Sequence, residues 1–81
     1  MTDAATPQFD REVDARGLNC PLPILRAKKA LAELQSGQVL KVMSSDAGSQ
    51  RDFLAFARQT GHELLSTVEG DREWTFFLRH R

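Results

Sequence analysis

The chain has 81 residues, one cysteine, and eleven basic against eleven acidic side chains, for a formal net charge of zero. That length suits one domain whose single core is just sufficient, and a hydrophobic content of 41% argues against disorder. A neutral balance is a poor basis for direct nucleic-acid binding, and no apolar run approaches the roughly 20 residues needed to span a bilayer.

Residues 1–8 read as a flexible N-terminal tail without a signal-peptide pattern, and residues 9–81 as a single domain. Phe9, Arg11, Val13 and Ala15 alternate with acidic residues, which predicts a short strand. Arg16 to Asn19 then form a turn in which Gly17 is free to take positive φ. From Ile24 onward, Ile24, Ala27, Leu31 and Leu34 recur at helical spacing, with Gly37 as the stop and Arg26, Lys29 and Glu33 facing water. Val39 to Ser44 reads as a buried strand. A second helix is expected next, capped by Asp46 or Ser49, carrying Phe53, Phe56, Ala57 and Thr60 on one side and ending at Gly61. His62 to Glu69 and Glu73 to Arg79 read as a hairpin around Gly70-Asp71, with Trp74, Phe76 and Leu78 turned toward the helices.

The order βαβαββ predicts an α/β (α+β) two-layer sandwich. In it, a four-stranded mixed sheet carries two helices on one face, and the loop after the first strand lies at the strand's carboxyl end.

That loop holds the only cysteine, in the run Gly17-Leu18-Asn19-Cys20-Pro21-Leu22-Pro23. A residue before proline is pushed toward extended geometry, so Cys20 should sit outside the helix at its positive end. The regular helix can begin at Pro21 or at Pro23. Composition alone favours a buried small side chain for a free cysteine. The glycine turn, the prolines and the neighbouring cations Arg16, Arg26, Lys28 and Lys29 favour a reactive one. An ordinary thiol with a pKa near 8.5 is only about 3% thiolate at pH 7, and this setting is expected to lower that pKa.

A single cysteine excludes an internal Cys-x-x-Cys redox cycle. His62 and His80 are expected as surface or capping residues rather than partners of Cys20, and they offer no metal-ligand spacing with it. No cofactor or metal is expected. What remains is one thiol that holds a group and hands it on. A lone cysteine also points to a reducing compartment, so the expected location is the cytoplasm, with no membrane partner.

With Asp14, Gly17, Leu18, Cys20, Pro21 and Pro23 followed by the helix Ile24 to Leu31, the chain resembles the TusA (SirA-like) family of sulfur-carrier proteins. Gly37, Asp46, the Arg51-Asp52 pair and His62-Glu63-Leu64 also fall where that family has similar residues, and the resemblance spans roughly residues 9 to 79. Ala47 departs from it, since relatives often carry proline after the aspartate. The resemblance implies a carrier rather than a turnover enzyme. A cysteine desulfurase or a rhodanese-like donor would load Cys20 as a persulfide, and an acceptor sulfur-relay protein would take the sulfur. Relatives serve tRNA 2-thiouridine synthesis, molybdenum-cofactor assembly or sulfur oxidation.

On this reading Cys20 is the nucleophile, Pro21 and Pro23 fix its loop, and Gly17 permits the turn. Arg16, Arg26, Lys28 and Lys29 are candidates for lowering the thiol pKa or for a basic rim toward acidic partners. Asp14 is expected to accept turn hydrogen bonds rather than act as a base. Two other function classes stay open: a regulatory RNA-binding domain using the open sheet face, and a single-thiol reductase acting through mixed disulfides.

Overall fold

A computed structural model describes residues 8–81. The expected N-terminal tail, Gln8 apart, lies outside the described residues. The elements are β1 (Arg11–Ala15), α1 (Leu22–Ala32), β2 (Val39–Ser44), α2 (Ser49–Thr60), β3 (Glu63–Glu69) and β4 (Trp74–Arg79). They form one mixed sheet in the order β1-β2-β4-β3. β1 runs parallel to β2, and β4 lies antiparallel to both β2 and β3.

Alternation explains how the layers close. Val13 and Ala15, Leu40 and Val42, Phe76 and Leu78 point to one face of the sheet. There they pack with Ala27, Ala30 and Leu31 of α1 and with Phe53 and Phe56 of α2. Both helices therefore cover the same face, as expected from the element order. Phe53 stacks on Phe76 with ring centroids 4.4 Å apart, at the centre of this core. None of the described helices is long and apolar enough to cross a membrane.

Several boundaries differ from the sequence expectation, each for a local reason. The first strand begins at Arg11, not Phe9. Asp10 exchanges two hydrogen bonds with Val39, one of them through its own carboxylate. Phe9 then turns across the open face toward Phe77, beneath the Lys41 ammonium. That cover buries Phe77, which alternation alone had assigned to the helix-free side. α1 begins at Leu22, between the two predicted starts, with Pro21 in the cap position and Pro23 buried in the first turn. The Cys20–Pro21 peptide is cis.

α1 also closes before Gly37. At Glu33 and Leu34 the backbone tightens to bonds three residues back, and Gly37 instead uses φ +87° to turn into β2. Neither Asp46 nor Ser49 caps α2. Gly48 occupies the cap position, because the Ser49 hydroxyl is buried against that of Ser44 at 2.6 Å and the Asp46 carboxylate accepts from Gly48 and Cys20 N–H rather than from the first turn of the helix. Gly61 ends α2 in the left-handed region, as expected. β3 and β4 each start one residue later than predicted. In the hairpin between them the positive φ falls on Arg72, while Gly70 N–H donates to the Glu73 carbonyl.

Candidate functional site

Parallel neighbours send their following loops out at the same end of a sheet, so the loop after β1 lies beside the loop after β2. Two hydrogen bonds join them. Gly17 N–H donates to Ser45 Oγ at 2.8 Å, and Cys20 N–H donates to Asp46 Oδ2 at 2.8 Å. Gly17 needs its φ of +85° to enter this arrangement.

Asp46 is itself held. Its N–H donates to Ser44 Oγ, and its Oδ1 accepts from Gly48 N–H. The buried serine pair thus fixes the aspartate, and the aspartate fixes the backbone of Cys20.

Cys20 is exposed and lies just ahead of α1, as its proline context predicts. Its thiol donates to Asp52 Oδ2 in the first turn of α2, with Sγ and Oδ2 2.9 Å apart. The two residues line an open groove of about 220 Å³ between the helices, together with Pro21, Ile24, Ala55, Phe56 and Gln59.

The electrostatics reverse the expected direction. The Asp52 carboxylate accepts from the thiol and so favours its neutral form, holding Cys20 above the ordinary thiol pKa. Partial desolvation and the negative charges of Asp52 and Asp46 push the same way, and Arg51 alone opposes them. The expectation of a depressed pKa is therefore corrected: a carboxylate in direct contact holds the proton on the sulfur.

The cations nearest in sequence do not gather around the thiol. Arg16 is committed to Asp14, with Nε at 2.9 Å, and also reaches Glu73. Arg26 and Lys29 line a hollow beside β1 with Arg11, Asp14 and Glu33, where Arg11 and Glu33 form an ion pair. Lys28 lines a separate hollow with His62, His80 and Arg81. Asp14 accepts the Arg16 backbone N–H and two guanidinium bonds, the turn-bracing role expected of it. His62 and His80 pack against each other away from the Cys20 groove.

The residues that sequence reasoning left out of the site are Asp46 and Asp52. A signal was available: with β1 and β2 predicted parallel, whatever follows β2 must face whatever follows β1.

The family model described as Sulfurtransferase TusA matches residues 11–80. The chain belongs to the TusA family. It is 56% identical over 71 residues to the sulfur carrier protein TusA of Allochromatium vinosum, covering 88% of this chain and 93% of that one. The sulfur carrier protein TusA of Pseudomonas entomophila is 39% identical over 81 residues, covering 100% of this chain and 98% of its own. Among solved structures, the SirA-like protein from Desulfitobacterium hafniense superposes with a TM-score of 0.77 at 32% identity. That match covers 86% of this chain and 96% of the other. In this TusA-family chain the two parallel loops, their shared aspartate and the exposed thiol form one continuous site.

Proposed function

We propose that this protein is a sulfur carrier in which Cys20 accepts sulfane sulfur as a persulfide and passes it to the thiol of an acceptor protein. The observation that carries the reading is the exposed Cys20, which lines an open groove and whose backbone is tied to Asp46. An approaching protein can reach this sulfur without any rearrangement of the fold. The chain has no second cysteine to resolve a bond formed there.

The chemistry balances without an external oxidant. Cys20 Sγ attacks the terminal sulfur of a donor persulfide, a new S–S bond forms, and the donor's own S–S bond breaks. The Cys20 proton ends on the departing donor thiol. Handing on the sulfur repeats the exchange with the acceptor thiolate as nucleophile and Cys20 as leaving group. A cysteine desulfurase or a rhodanese-like protein is the fitting donor, and an acceptor sulfur-relay protein the fitting recipient.

Loading by a cysteine desulfurase with cysteine, followed by intact-mass measurement, tests the reading. The wild-type chain should gain the mass of one sulfur atom, lose it on reduction, and gain none as Cys20→Ser. If desulfurases and rhodanese-type donors all leave the reduced protein unmodified, the reading is wrong.

A further inference from the structure

Among the described residues the thiol of Cys20 has a single hydrogen-bond partner, and that partner is an anion, Asp52. Such an arrangement is odd for a nucleophile that acts unaided, because a carboxylate acceptor holds the proton on sulfur. It suits a carrier that must survive between partners. An exposed, readily ionised thiol would react with any disulfide or oxidant it met.

We propose that Asp52 is a specificity-determining residue for sulfur loading: by accepting the Cys20 hydrogen bond it keeps the empty carrier as a slow thiol, so that indiscriminate thiol chemistry is suppressed. The proposal rests on Cys20 being the sulfur-bearing atom.

The surroundings support it from each packed element. From α2 come Asp52, which accepts the thiol, and Arg51, whose positive charge opposes it. From the loop after β2 comes Asp46, a second negative charge bonded to the Cys20 backbone. From the cap and first turn of α1 the groove receives Pro21 and Ile24, and from the rest of α2 Ala55, Phe56 and Gln59, none of them charged. Two negative charges therefore act on the thiol against one guanidinium, and among the described residues only Asp52 is hydrogen-bonded to the sulfur.

The size of the effect follows from thiol exchange. Below the thiol pKa, lowering that pKa by a single pH unit yields about tenfold more thiolate. The less basic thiolate is slower by about threefold, leaving a net gain of about threefold.

The test is the pH profile of iodoacetamide alkylation for wild type, Asp52→Asn, Asp52→Ala and Arg51→Ala, with circular dichroism to show that each is folded. Both Asp52 variants should move the midpoint to lower pH and react faster at pH 7, by about threefold for every pH unit the midpoint falls. Arg51→Ala should move it upward. Persulfide loading from glutathione persulfide at pH 7 should accelerate in Asp52→Asn to the same degree. An unchanged midpoint in both Asp52 variants overturns the proposal. So does slower reaction in both, because Asp52 would then be acting as a base. Failure of the carrier reading appears elsewhere, as absence of sulfur on wild-type Cys20, and leaves the alkylation profiles unaltered.

Discussion

The backbone N–H of Cys20 donates to Asp46 Oδ2 at 2.8 Å, tying the loop ahead of α1 to the turn ahead of α2. The other oxygen of the same carboxylate accepts from Gly48 N–H at 3.2 Å, so one side chain organises both loops. Asp46→Ala would leave two backbone donors without their partners. Each lost bond is worth about 1 kcal/mol, so urea unfolding should show a loss of about 1–3 kcal/mol. Amide exchange at Cys20 should accelerate as well. Unchanged exchange there would mean that the loop is held by something other than Asp46.

The core prediction concerns Phe53, fully buried and stacked on Phe76, with Phe56 edge-on to it. Phe53→Ala should cost about 3–5 kcal/mol, a large share of the total of about 5–15 kcal/mol typical of a small domain. A thermal melt should fall by about 15 °C or more. A drop of only a few degrees would show that the two helices close over the cavity.

Two titrating groups give opposite pH signatures. The Arg16 guanidinium and backbone lower the Asp14 carboxyl from 3.8 to about 2. A depressed carboxyl contributes stability that is present above its unfolded value and lost as pH falls from about 3.8 toward 2. Cys20 is raised, so its contribution is present below the unfolded thiol value and is lost as pH rises through the folded one. Carboxyl NMR titration should place Asp14 near 2 in wild type and return it toward 3.8 in Arg16→Ala. An Asp14 midpoint that ignores Arg16 would contradict the ion pair.

The parts of this fold written in local pattern were legible before the structure. Val39–Ser44 is bounded by turns on both sides and matches its predicted limits, and Gly61 ends α2 where its freedom at positive φ is needed. The position of Cys20 outside α1 followed from two prolines. What local pattern does not carry is the identity of distant neighbours. Phe77 alternates as an outward residue and is buried because Phe9 folds back over it. The partner of the thiol lies 32 residues along the chain, so nearby lysines and arginines suggested the wrong sign for its environment. Sequence proximity to Cys20 did not predict proximity in space. Arg26 and Lys29 project beside β1, while Asp52 is delivered by the first turn of the other helix.

Cyanolysis of the loaded protein measures sulfur carriage on Cys20 most directly. Cyanide takes sulfane sulfur from a persulfide as thiocyanate and leaves the original thiol behind. Wild-type protein would be incubated with a cysteine desulfurase and cysteine, separated from donor and small molecules, and treated with cyanide. Wild type should release thiocyanate approaching one equivalent per chain and regain a free Cys20 thiol that can be loaded again, and Cys20→Ser should release none. Thiocyanate in equal amounts from both proteins, or none from wild type that has kept its fold, would contradict it.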